Sequence, residues 1–147
     1  MSQASPVLYL PDTNIFVHYA RKSAVAQFVE QRYRLQGDLT KPLVSIVTHG
    51  EMRAFALQNR WGETKIRLVT DFLAVCKTVL VDSEEILNAY ALLDTYSRSV
   101  GRAMGDNDLW IAAAAFVNGA TLLTTDKDFD HLHPVYIQRE WVNPSII

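Results

Sequence analysis

Four acidic residues, Asp12, Glu51, Asp108 and Asp126, each stand beside a short apolar run or in the first turns of a helical pattern. Asp12 follows Val7-Leu8-Tyr9-Leu10-Pro11, Glu51 follows Leu43-Val44-Ser45-Ile46, and Asp126 follows Thr121-Leu122-Leu123-Thr124. Asp108 opens an alanine-rich segment in which Ile111, Ala112 and Ala115 share its helical face. Open α/β sheets bind ligands outside the carboxyl ends of their strands, where the connections diverge, and these acids stand at such positions. Carboxylates gathered there repel each other unless protons or a cation intervene. An oxygen-rich cluster without paired His or Cys suits Mg2+ or Mn2+ rather than zinc.

Each acid also has a plainer role. Asp12 fits an Asx turn, Thr48-x-x-Glu51 fits a capping box, and Asp126 fits a turn in which Asp128 or Asp130 could replace it. Asp106 either caps its helix beside a metal-binding Asp108 or shares a cation with it. Thr13, Asn14, Ser45 and Thr125 are the neighbours able to orient carboxylates or waters.

Short β-branched runs alternating with helical patterns must position these residues. Strands are expected at 7–10, 43–46, 78–81, 121–124 and 135–137. Helical patterns follow Asp12, run from Ser23 to Gln36 with Gly37 as the stop, and run from Thr48 to about Asn59. Further helices are expected over 63–76, from Ser83 to about Val100 behind the D-x-x-E cap of Asp82 and Glu85, and over 106–118 before Gly119. This alternation indicates an α/β fold with a mostly parallel sheet and right-handed crossovers.

The chain has 147 residues, 49% of them hydrophobic and 20% charged, which suits one compact domain over 1–147 and excludes a disordered or fibrous protein. Net charge is −2, which argues against a simple electrostatic nucleic-acid binder. The charge is unevenly spread: residues 1–77 carry ten Lys/Arg against six Asp/Glu, and residues 78–147 carry four against ten. The single cysteine, Cys76, lies in an apolar run and reads as a buried thiol in a core helix. The N-terminus lacks the basic and apolar regions of a signal peptide, and no apolar run approaches the ~20 residues of a membrane span. A cytoplasmic location without membrane association is expected. His131-x-His133 lacks further ligands and reads as surface, and Trp110 reads as packing rather than base stacking.

Pro11-Asp12-Thr13-Asn14-Ile15-Phe16, the Ser45–Glu51 segment, Gly105-x-x-Asp108-x-x-Ile111-Ala112-Ala113 and Thr124-Thr125-Asp126-x-Asp128-Phe129 resemble the successive motifs of the PIN-domain nucleases. Their order and spacing match from about residue 7 to residue 141. The nearest branch is similar to the VapC-like toxin ribonucleases. The resemblance implies a three-layer α/β/α PIN-like fold with strand order 3-2-1-4-5. It also implies one pocket holding Asp12, Glu51, Asp108 and Asp126 around Mg2+ or Mn2+, with Asp106 as an extra acid in the third motif. The implied activity is metal-dependent hydrolysis of RNA phosphodiesters, with tRNA or ribosomal RNA as typical targets of that branch. A small antitoxin and a homodimer are the implied partners. The alternative is a catalytically silent PIN-like module that binds RNA or protein. A receiver-like domain is disfavoured, because the paired acids after the first strand and a phosphate-cradling glycine loop are both missing.

Overall fold

The computed structural model describes residues 7–37 and 41–146. The expectation that the N-terminus is not a signal peptide falls partly on residues 1–6, which lie outside the described part. Among the described residues five strands alternate with six helices: β1 (Tyr9–Pro11), α1 (Thr13–Arg21), α2 (Ala24–Tyr33), β2 (Leu43–Ser45), α3 (Ile46–Gln58), α4 (Glu63–Val75), β3 (Lys77–Val79), α5 (Glu84–Ser99), α6 (Asp106–Asn118), β4 (Thr121–Thr124) and β5 (Gln138–Trp141). A 3-10 segment, Lys127–Leu132, joins β4 to β5.

Every ladder is parallel, in keeping with helical crossovers between strands. The hydrogen-bonded order is β1-β4-β5 in one sheet and β2-β3 in another. β1 and β2 lie against each other, but among the described residues no ladder joins them. The expected continuous sheet of order 3-2-1-4-5 is thus seen as two sheets meeting at β1 and β2.

Strand periodicity divides the interior. Leu10, Leu43 and Leu122 face a core shared with α5 and α6, and their neighbours Val44 and Leu123 face a second core shared with α1, α2, α3 and α4. Asp12, Ser23, Ser45 and Ser83 cap α1, α2, α3 and α5 through side-chain oxygens. Because Ser45 begins α3, Thr48 and Glu51 lie inside that helix and do not form a capping box. Ser83, not Asp82, caps α5. Helix α2 ends at Tyr33 with Arg34 in the left-handed region, before the expected stop at Gly37.

β5 is displaced from the expected run. Val135, Tyr136 and Ile137 form the approach, and Gln138–Trp141 makes the ladder with β4. Ile137 is buried in the first core and Tyr136 packs on Tyr96 and Phe116, so apolar character there serves packing rather than strand pairing. Cys76 closes α4, half-buried, with its thiol pushed up to about 12 by burial. It is a satisfied packing group and not a nucleophile. Among the described residues no helix is long and apolar enough to cross a membrane.

Helix α6 sits deepest. Ala112, Ala113 and Ala114 are wholly buried, and the helix packs chiefly on α5. Methyl side chains set that close approach. Enlarging one, as in Ala113→Leu, should cost about 1–3 kcal/mol through overpacking. The expected readout is a lower urea midpoint with an unchanged slope; an unchanged midpoint would show that the α5–α6 seam has slack.

Candidate active site

The carboxyl ends of β1 and β4 are neighbours, and the site is assembled from the segments that leave them. The Asp12 amide donates to the Leu123 carbonyl at 2.8 Å, so the ladder continues to the residue that caps α1. This draws the Asp12 side chain beneath the chain, to 3% exposure. Its Oδ1 accepts from the Thr13 amide at 2.7 Å and its Oδ2 from the Thr124 hydroxyl at 2.9 Å. Thr124 Oγ1 in turn accepts from the Asp126 amide at 2.9 Å, tying the loop after β4 to the carboxylate after β1.

Glu51 comes from the middle of α3 and is held from two sides. The Thr13 hydroxyl donates to Oε1 at 2.6 Å and the Asn107 amide donates to Oε2 at 3.2 Å. Thr48 Oγ1 lies 2.9 Å from Thr13 Oγ1. Since Thr13 spends its proton on Glu51, Thr48 is the donor in that contact.

Asp108 lies in the first turn of α6, whose cap is Gly105 without a side-chain bond. Neither Asp106 nor Asp108 caps the helix, and acid in this turn is favoured by the helix dipole. Asp12, Glu51 and Asp108 line one cleft of about 360 Å3, together with Thr13, Asn14, Val17, Ala54, Phe55, Gln58 and Asn107. On its other side, Asp108 lies with Asp126 and Asp128, one ligand oxygen of each falling within 4.8 Å of the others. Asp108 therefore joins the two groups. Asp106 is elsewhere: exposed, it accepts from the Tyr90 hydroxyl at 2.6 Å, and Tyr90 stacks on Trp110 with centroids 4.1 Å apart.

The electrostatics reflect this crowding. Burial above all, reinforced by Asp108 and Glu51, pushes Asp12 up to about 7, although its bonds to Thr124 and Thr13 favour the charged form. Burial first, then repulsion from Asp126, Glu51 and Asp128, pushes Asp108 up to about 6. Among the described residues no Lys or Arg lines the cleft. An all-oxygen donor set in which Asp12 and Asp108 are held above their ordinary range is one that a hard divalent cation relieves, so these residues fit Mg2+ or Mn2+.

Of the other residues singled out in the sequence, Asn14 lines the cleft, exposed, and Ser45 is wholly buried as the α3 cap. Thr125 offers its carbonyl to Trp141 Nε1 at 3.1 Å. The two histidines are separately engaged, His131 with Ser97 and His133 with the Arg139 amide. Sequence reasoning missed Thr124, Thr48 and Asn107, and held Asp128 only as a substitute for Asp126. Asn107 and Thr124 lie next to or near the motif acids in sequence, which is the one signal that could have found them.

The PIN domain family model matches residues 9–133. Ribonuclease VapC1 of Haemophilus influenzae strain R2866 is 30% identical over 129 residues, covering 86% of this chain and 92% of that protein. Ribonuclease VapC4 of Mycobacterium tuberculosis is 37% identical over 87 residues, covering 58% of this chain and 67% of that protein. Among solved structures, VapBC2 from Rickettsia felis bound to promoter DNA matches with a TM-score of 0.76 at 22% identity, covering 91% of this chain and 98% of that one. VapBC-1 from nontypeable Haemophilus influenzae matches with a TM-score of 0.75 at 24% identity, covering 92% and 98%. With the family's model matched over most of the chain and a relative at 30% identity across 86% of it, the chain belongs to the PIN domain family.

Proposed function

We propose that this chain is a single-domain, metal-dependent endoribonuclease and the toxin of a toxin–antitoxin pair. The observation that carries the chemistry is the convergence of Asp12, Glu51 and Asp108 on a cleft that no described Lys or Arg lines. A binding module has no use for that repulsion, whereas a site that takes up a divalent cation requires it. The biological role is supported by the ribonuclease VapC relatives and by likeness to proteins solved as VapBC assemblies. A small antitoxin, a homodimer and a cytoplasmic location belong to the same reading.

In this reading Asp12, Glu51, Asp108 and Asp126 hold one or two Mg2+ or Mn2+ ions, with Asp128 beside Asp126 as a further ligand. Bound metal supplies a water of lowered pKa and stabilises charge developing on the phosphate oxygens. The chain's own contribution is orientation. Thr13 and Thr124 fix both oxygens of Asp12, and Thr13 and Asn107 fix both oxygens of Glu51. Asp106, bonded to Tyr90, is left out of the ligand set. A crevice floored by carboxylates reaches splayed RNA backbone more readily than duplex, so single-stranded or looped RNA is the substrate class, tRNA and ribosomal RNA included.

Cleavage of labelled tRNA and ribosomal RNA with Mg2+ or Mn2+ tests this directly. Activity should vanish with EDTA. Asp108→Asn should lower it beyond the roughly ten- to hundredfold typical of losing a group that merely orients a ligand. Asp106→Asn should keep it. The reverse pattern, loss in Asp106→Asn with activity kept in Asp108→Asn, would move the ligand to Asp106, and cutting that survives EDTA would sink the metal mechanism.

Metal binding should also release protons. Asp12 and Asp108 sit at about 7 and about 6, above the roughly 3.9 of a free aspartate. Near neutral pH the metal-free site therefore holds protons that an entering cation displaces. Mn2+ affinity is expected to rise with pH through that window, by about tenfold per pH unit for each proton displaced. Calorimetric titrations in buffers of different ionisation heat check this. Heats independent of the buffer would mean that the carboxylates are already ionised.

A further inference from the structure

Outside the carboxylate cluster, two cation–aromatic contacts join into one line. The guanidinium of Arg21, at the end of α1, stands 5.5 Å from the centroid of the Phe55 ring. Phe55, on α3, meets Trp61 nearly edge-on, with centroids 5.4 Å apart. The Lys65 ammonium, in the first turns of α4, lies 5.7 Å from the Trp61 ring. Phe55 also lines the cleft beside Asp12, Glu51 and Asp108. The line therefore begins at the lip of the cleft and crosses the α3–α4 turn.

Packing accounts for the two rings, which are half-buried at the margin of the second core. It does not account for the cations. Arg21 and Lys65 are exposed, and among the described residues neither forms a salt bridge with a carboxylate. Arg60, exposed in the turn beside Trp61, adds a third charge of the same sign. The two ends of the line select its occupant. An acidic peptide would suit the cations but be repelled by the carboxylate cleft, and a basic peptide the reverse. A phosphodiester chain suits both, because a divalent cation in the cleft accepts a phosphate there. Single-stranded nucleic acid binds through alternating phosphate neutralisation and base stacking on aromatic rings.

Resting on the nuclease reading above, we propose that Arg21, Phe55, Trp61 and Lys65 form the track for single-stranded RNA flanking the cleaved bond. Arg21 and Lys65 take phosphates and Trp61 takes a base. These are positioning groups for substrate and do not touch the reacting atoms.

The test measures binding of a labelled oligouridylate as a function of salt, with Asp108→Asn as the common parent so that cleavage does not intrude. Arg21→Gln and Lys65→Gln should each flatten the slope of log affinity against log salt by about 0.7. Trp61→Leu should weaken binding about tenfold, largely independently of base sequence. With Asp108 restored, the same three changes should raise KM for long RNA while sparing kcat and the cleavage of a dinucleotide. Because Arg21 and Lys65 are exposed, their variants remain informative if Trp61→Leu folds poorly. Unchanged salt slopes and affinity in folded variants would overturn the track while leaving the nuclease intact, and would hand this surface to a protein partner. Failure of the parent to bind RNA at all would overturn the track together with the reading beneath it.

Discussion

The buried carboxylate of Asp12 is the constraint around which the remaining structure is arranged. Removing such a group from water costs several kcal/mol even after relaxation. Hydrogen bonds to a charged acceptor return about 1.5–3 kcal/mol each, and Asp12 has two, from Thr13 and Thr124. They do not cancel the cost, since the group is still pushed up to about 7. Their delivery also fixes the topology. Thr124 reaches Asp12 only because β4 pairs with β1 in the register that sets Pro11 against Leu123. A one-residue slip would turn every side chain of the strand to the other face, removing the hydroxyl and exchanging the two cores at once.

The second acid depends on where α3 begins. With Ser45 as cap, Glu51 lies more than a turn into the helix, beyond the unsatisfied amides of its N-terminus. Its carboxylate is therefore free to accept from Thr13 on α1 and Asn107 on α6. Helix α6 can supply Asn107 and Asp108 at this point because four of its six buried residues are alanine, which lets it lie close to α5. The three helices of the cleft are coupled through one carboxylate, so a shift of any of them disturbs the charge cluster.

What could be read from the sequence was local. Acids following β-branched runs, serines before apolar helical stretches and Gly119 after α6 are signals carried within a few residues, and α6 and β4 lie where their patterns place them. What escaped was decided at long range. The Thr124–Asp12 and Asn107–Glu51 bonds join residues 112 and 56 positions apart, and no periodicity announces either. The apolar run 135–137 mimicked a strand because burial and ladder pairing leave similar composition, whereas the strand itself, Gln138–Trp141, is largely polar. At Asp106 and Asp108 the sequence offered a motif acid with an extra acid two positions before it. Helical positions two apart point in widely different directions, which is why one meets Tyr90 and the other the cleft.

Charge shows the same difference between chain and fold. A net charge of −2 argues against a polyanion-binding protein, yet screening limits exposed charges to about 8–10 Å at physiological salt, so local sign governs what a surface attracts. In this fold the carboxylates gather at the ends of β1 and β4, while Arg21 and Lys65 stand outside them along the aromatic line. Without a cation, the two regions present opposite signs to an approaching phosphate chain. In the proposed site, a divalent ion offsets the negative charge of the cleft and leaves the cation line unaltered. Cleft and line then form one surface of compatible sign, so occupation of the metal site favours substrate docking as well as chemistry, while the cation line alone still holds RNA.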